Sequence, residues 1–241
     1  MKVDTKQENQ ALGKVDPVLV LSFHTATPRA GLALLDRDIV VEESYWLAGE
    51  AQGIKVPYAN RLAVETERMI QTHQVSWDHV SVLGVTVGPG SFTGIRSALS
   101  FVKGLAFARN LPVAAIGTLE SLAWQAGNGL ICPLLDARRG EFYWGLYQVD
   151  DGALTEIIAP RVSTAEILQI ELMDRFPIVF SGEPLYEAAK LPEWLRDAHK
   201  TPPSTWTLRP SAVGQLAWLK YRMGRLTTAA QLLPVYLRAP I

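Results

Sequence analysis

The chain has 241 residues, 48% of them hydrophobic and 20% charged, with 23 Lys and Arg against 24 Asp and Glu. That apolar content excludes a disordered chain and supports a core that buries about 70–75% of the unfolded surface, in one large domain or two small lobes. A formal net charge of -1 argues against blanket binding to nucleic acid, and one cysteine, Cys132, excludes an internal disulfide and suits a reducing compartment.

Residues 1–16 are polar, with Lys2, Asp4, Lys6, Glu8 and Lys14, and lack the apolar stretch of a signal peptide. They read as a disordered N-terminal extension. No run approaches the roughly 18 apolar residues of a membrane span, so a soluble, cytoplasmic protein without membrane contact is expected. From Val18, three apolar runs are joined by short polar turns: Val18 to Phe23, Ala30 to Leu35 and Ile39 to Tyr45. This predicts an antiparallel meander. Gly49 to Gly53 reads as a loop. Pro57 is a plausible first residue of a helix in which Leu62, Met69 and Ile70 recur at helical spacing.

A strand is predicted over Val80 to Val87. It runs into Gly88-Pro89-Gly90-Ser91-Phe92-Thr93-Gly94 and then a helix from Ile95 to Arg109. Pro112 to Ile116 reads as a strand and Thr118 to Gln125 as a helix ended by Gly127. The second half repeats the rhythm, with strands at Ile131 to Leu135, Glu141 to Val149 and Glu156 to Val162. A helix follows to about Met173, capped by Ser163 with Glu166 in the capping-box position. A short strand covers Ile178 to Phe180. A Pro-rich stretch from Pro192 to Pro210 leads into a last helix, Ser211 to Leu226. The repeat is one of pattern, not residue identity. It predicts a duplicated α/β fold, with mixed sheets, flanking helices and a cleft between lobes at 17–128 and 129–241.

The glycine segment carries the most information. Glycines that open a helix permit close backbone approach, and N–H groups at a helix N-terminus attract anions. Gly88, Gly90, Ser91 and Thr93 are therefore candidate phosphate contacts. Two phosphate motifs fit badly: Ile95-Arg96 stands where Lys-Ser/Thr would follow the last glycine, and Thr93 stands where the dinucleotide fingerprint wants glycine. The alternative is a tight strand-to-helix joint with Thr93 as the cap. In the following helix, Phe107 falls on the polar side with Arg96, Ser100 and Lys103, and Ser100, Gly104 and Ala108 align at i, i+4 and i+8. Small residues at that spacing let another helix approach, either from a partner or from this same chain.

The segment Val87 to Lys103, V-G-P-G-S-F-T-G-I-R-S-A-L-S-F-V-K, closely resembles the signature of the TsaB (YeaZ) family. Gly104-Leu105-Ala106 and Gly117-Thr118-Leu119-Glu120 continue the likeness. Thr25-Ala26-Thr27, the D-A-R segment at Asp136-Ala137-Arg138 with Glu141 and Tyr143, and Pro234-Val235-Tyr236-Leu237-Arg238 resemble other family segments in the same order. The resemblance spans roughly residues 18–240. It implies the duplicated actin/Hsp70/sugar-kinase-like fold and a role in making N6-threonylcarbamoyladenosine at position 37 of ANN-decoding tRNAs. In that family the TsaB-like chain is the non-catalytic partner of the TsaD transferase, joined by the TsaE ATPase, and reaches tRNA through the complex. It also forms homodimers through the same helical surface. Carried over by position, this surface is the helix from Pro57 to Gln71 and the helix from Ile95 to Arg109. It makes Leu62, Met69, Ser100, Lys103, Gly104, Phe107 and Ala108 the expected partner residues.

Two residues depart from the family pattern: His24 stands where most relatives have Asp, and Tyr58 where they have His. Neutral histidine does not replace a carboxylate as a ligand for a hard cation. The expectation is therefore no tightly bound cofactor, with ATP or ADP at most shared at the TsaD interface. Gly88, Gly90, Ser91, Thr93, Arg96, Asp136 and Arg138 are the candidate contacts there. Asp136, Arg138 and Arg139 also read as a solvated surface turn, and Arg96 as an ordinary first-turn residue. No catalytic residue is assigned. No metal site is expected, because the four histidines are scattered and the single cysteine makes no zinc set. A protease reading lacks both H-E-x-x-H and a serine elbow. The alternative function is an active ATP-dependent carbamoyl- or phosphotransferase of the same fold; a third is a helper for a different, protease-like partner.

Overall fold

The computed structural model describes residues 17–47, 58–175 and 177–238. The expected extension at 1–16, the loop at 49–53 and Pro57 lie outside the described residues. Strands β1 (Leu19–His24), β2 (Arg29–Asp36) and β3 (Ile39–Leu47) form the expected antiparallel meander. β4 (Val80–Gly88) and β5 (Val113–Gly117) add in parallel on the far side of β1, giving the order β3-β2-β1-β4-β5. The second sheet repeats the scheme. β6 (Gly129–Asp136), β7 (Glu141–Asp150) and β8 (Ala153–Thr164) are antiparallel, and β9 (Val179–Ser181) pairs in parallel with β6, giving β8-β7-β6-β9. This is the duplicated actin/Hsp70/sugar-kinase-like fold, two lobes of mixed sheet with flanking helices.

Alternation along the strands explains the layering. In β1, Leu21 and Phe23 face one side, where they meet Leu62 and Met69 of α1 (Tyr58–Thr72) and Ile95, Leu99 and Val102 of α2 (Phe92–Arg109). Val20 faces the other side. There it joins Leu119 and Leu122 of α3 (Thr118–Ala126), Val213 and Leu216 of α6 (Pro210–Arg222), and Ile131 and Tyr147 of the second sheet. α3 and α6 are thus sandwiched between the sheets. The outer face of the second sheet, with Leu134, Trp144, Leu146 and Phe180, is covered by Leu168 and Leu172 of α4 (Ala165–Leu172).

Several expectations change in detail. α6 lies on β1, β2 and β4, so a helix of the 129–241 half serves the first sheet as well. Its close approach needs Gly214, whose added Cβ would fall 2.2 Å from Leu35 Cδ1. It ends at Arg222, not Leu226. The Pro-rich stretch holds the short α5 (Glu193–Asp197) and a 3-10 turn at Pro203–Thr205. Ser163 does not cap α4. Thr164 takes the cap position, because the Ser163 hydroxyl accepts a 2.9 Å bond from the Trp144 indole and donates to the Thr164 carbonyl.

Candidate partner face and interlobe cleft

α2 begins at Phe92, three residues inside the glycine segment. Its cap is Ser91, not Thr93: the Ser91 hydroxyl accepts from the Gly94 N–H at 3.2 Å. The segment is packed directly onto the β1–β2 turn. Ser91 N–H donates to the Ala26 carbonyl at 2.7 Å, and the Thr25 hydroxyl donates to the Gly94 carbonyl at 2.7 Å. An added Cβ at Gly90 (φ +145°) would lie 2.2 Å from the Ala26 oxygen, and one at Gly94 would lie 1.9 Å from the Thr25 oxygen. The glycines therefore make a backbone-to-backbone joint. Of the expected phosphate contacts, Ser91 has its amide proton and hydroxyl engaged inside the protein, whereas Thr93 stands exposed on the first turn of α2.

Arg96 is also engaged. Its guanidinium lies 4.0 Å from the centre of the Phe92 ring and donates to the Tyr236 hydroxyl at 3.0 Å. Phe92 and Tyr236 pack with ring centroids 5.2 Å apart and their planes tilted by 34°. Planar guanidinium against aromatic rings is favourable and fixes the side chain.

Beyond this joint, Ala26, Thr27, Tyr58, Gly90, Ser91 and Phe92 face Asp136 to Tyr143, Glu166, Glu183, Glu187 and Lys190 across a cleft of about 1210 Å³. Asp136 and Arg138 do sit together on it, as an exposed pair at 3.2 Å, and Asp136 also accepts from the Arg138 N–H at 2.7 Å. Most charges here are already paired: Lys190 with Glu187, and Glu141 with Arg238. Burial pushes the Glu183 carboxyl above its ordinary value, opposed by a hydrogen bond from Thr27 and by the Arg29 charge. Burial likewise raises the Tyr58 hydroxyl, opposed by its hydrogen bond with Ser91.

His24 ends β1 and is fully buried. Its Nδ1 lies 3.3 Å from the Thr86 hydroxyl and its Nε2 3.1 Å from the Thr27 hydroxyl. Burial lowers its pKa to about 3, so the ring is neutral at pH 7. No group of three or more His, Cys, Asp or Glu residues among the described residues is arranged to hold a metal ion.

The outer surface of the first lobe is made by α1 and α2, which pack side by side. Ser100, Gly104, Phe107 and Ala108 are all exposed, and Lys103 half-buried, on α2. Phe107 is 86% exposed, and among the described residues nothing beyond the helix's own backbone lies within 4 Å of a Cβ built on Gly104. Among the described residues, no helix of this chain covers the small-residue row. Leu62 and Met69 require correction as partner residues. Both are completely buried against the sheet, and α1 instead presents Ala63, Val64 and Glu67 outward. The apolar periodicity that located the helix marks its inner face.

Sequence reasoning named Tyr236 and Arg238 only within a C-terminal likeness, and assigned Glu183 nothing. Their roles come from contacts between residues distant in the chain.

The family model described as TsaD, tRNA N6-adenosine threonylcarbamoyltransferase, matches residues 56–215. The TsaB protein of Bacillus subtilis, named for tRNA threonylcarbamoyladenosine biosynthesis, is 31% identical over 166 residues, covering 68% of this chain and 70% of that protein. The Escherichia coli TsaB is 26% identical over 233 residues, covering 91% and 94%. The solved structure of YeaZ from Pseudomonas aeruginosa superposes with a TM-score of 0.73 at 26% identity, covering 91% of this chain and 99% of that one. The glycine joint, the duplicated lobes and these likenesses agree, and the chain belongs to the TsaB (YeaZ) family.

Proposed function

We propose that this chain takes part in tRNA threonylcarbamoyladenosine biosynthesis as a non-catalytic subunit that docks a TsaD-like transferase through α1 and α2. The observation that carries this reading is the outer face of α2: a large aromatic, Phe107, stands in solvent beside an open row of Ser100, Gly104 and Ala108. An exposed aromatic beside small residues suits a helix-on-helix contact. The same face serves a homodimer, so self-association and transferase docking compete. A TsaE-like ATPase and tRNA join through the complex.

The paired charges of the cleft and the engaged Ser91 amide support a role without chemistry of its own. A triphosphate brings several negative charges, and among the described cleft residues Arg139 is the cation outside any ion pair. Any ATP or ADP is then held weakly or shared with the transferase. The same cleft volume is what favours the second reading, an ATP-dependent carbamoyl- or phosphotransferase. Calorimetry with Mg-ATP on the isolated chain separates the two: micromolar binding with turnover selects the enzyme.

The deciding experiment is threonylcarbamoylation of tRNA by purified TsaC-like, TsaD-like and TsaE-like proteins from the same source, with and without this chain. Modified nucleoside is measured by mass spectrometry. Product only in its presence is the expected result; equal product in its absence overturns the proposal.

A further inference from the structure

The last described segment, Leu233–Arg238, has no regular secondary structure, yet it is tied down along its length. Leu232 just before it is buried in the first-lobe core. The Val235 N–H then donates to the Val87 carbonyl at 2.8 Å, at the end of β4. The Val235 oxygen lies so close to Gly88 that an added Cβ there would come within 2.3 Å of it. Tyr236 packs its ring at a tilt against Phe92 at the start of α2 and accepts from Arg96 one turn further on. Two residues later the chain reaches the other lobe. Arg238 donates to the Ala137 carbonyl at 3.1 Å through Nη1 and pairs with Glu141 through Nη2. Both side chains of that pair are only 28% exposed, so water screens it less than a surface pair.

Phe92 lines one wall of the cleft, and Ala137 and Glu141 line the other. The segment therefore spans the two walls with a single residue, Leu237, between its anchors. Its second anchor also brackets an unusual turn. Arg138, Arg139 and Gly140 are all left-handed (φ +64°, +59° and +77°), a conformation unfavourable for the two arginines. The Arg238 guanidinium holds the residues before and after that turn, which presents Arg138 and Arg139 to the cleft.

We infer that Leu233–Arg238 is a clasp that sets the separation of the cleft walls and links the cleft to the α2 face. The first anchor is Arg96, whose place on α2 is four residues before Ser100, so a partner seated on that face meets the clasp at its end. Displacing Tyr236 releases Arg96 and slackens Arg238. The cleft wall carrying Arg138 and Arg139 then becomes free to move. The link to partner docking rests on the function proposed above; the clasp itself does not.

The test uses the full chain. Thr93→Cys and Ala189→Cys, both at exposed positions, carry spin labels on the two sides of the cleft. Native Cys132 is fully buried and its thiol is pushed well above the ordinary value by burial, so it stays unlabelled in the folded protein. Pulsed dipolar spectroscopy compares the clasped chain with Tyr236→Ala, Arg238→Ala and Arg238→Lys. The expected result is one narrow distance with the clasp intact and a broadened, longer distribution for both alanine variants. Arg238→Lys, which keeps the charge but not two donors on fixed arms, gives an intermediate width. Hydrogen exchange serves as the second measurement: amides of 137–143 and 88–96 exchange at least about tenfold faster, while β1 and β6 keep their protection. Unchanged distances overturn the clasp, as does faster exchange spread evenly over the chain, which marks general destabilisation. If the clasp opens but affinity for a TsaD-like protein stays the same, the proposed coupling is wrong and the clasp stands.

Discussion

Acidification is expected to destabilise this protein through His24. The ring is buried between Thr86 and Thr27, and burial lowers its pKa from 6.5 to about 3. The neutral ring is the folded form, so its stability contribution is complete above pH 6.5 and is lost as pH falls from 6.5 towards 3. Each pH unit within that window costs about 1.4 kcal/mol, because the unfolded chain binds a proton that the folded one refuses. The ceiling is roughly 5 kcal/mol for the full shift, and the loss at pH 5 is about 2 kcal/mol. Domains are commonly stable by only about 5–15 kcal/mol, so this single ring is a large share. His24→Gln removes the titration and keeps a side chain able to bond both hydroxyls. Urea unfolding followed by tryptophan fluorescence at pH 7.5, 6 and 5 measures the effect. Wild-type stability is expected to fall about 2 kcal/mol more than the variant's between pH 7.5 and 5. The carboxylates and exposed histidines common to both proteins cancel in the comparison. Parallel stability curves for the two proteins refute the reasoning.

Two glycines predict opposite responses to the same change. Gly90→Ala drives a Cβ into the Ala26 carbonyl at a left-handed φ, and is expected to cost about 2–4 kcal/mol. Gly104→Ala meets nothing among the described residues and is expected to stabilise the exposed helix by about 0.5–1 kcal/mol. Melting temperatures that move in the same direction for both contradict this assignment. Gly104→Trp projects its ring from the same open face. It is expected to melt near wild type while losing homodimer and transferase complex together in analytical ultracentrifugation; full-strength assembly shows that the partner face lies elsewhere.

The meander, the strand that enters the glycine segment and the helix that leaves it were legible because their cause is local. Short apolar runs and the turn residues between them identify β1 to β3, and apolar spacing at helical period identifies α1. The duplicated order of elements followed from the same patterns, and the glycine segment pointed to the family. What each side chain meets was not legible. Leu62 and Met69 were expected on the partner surface and are core instead, since periodicity gives a face and not the body that covers it. Ser163 had the right chemistry for a cap, but the Trp144 indole, distant in sequence, claims its hydroxyl. The glycines at 88, 90 and 94 signalled close backbone approach, and only the tertiary structure identified what approaches: Val235, Ala26 and Thr25. Arg96 looked free until Tyr236, 140 residues later, was placed against it. The sequence by itself determined the elements, their order and the family, because these follow from short-range dihedral and hydrophobic preferences. The tertiary structure decided which residues are inside, which face is open and what crosses the cleft, because those depend on contacts between segments that no local preference encodes.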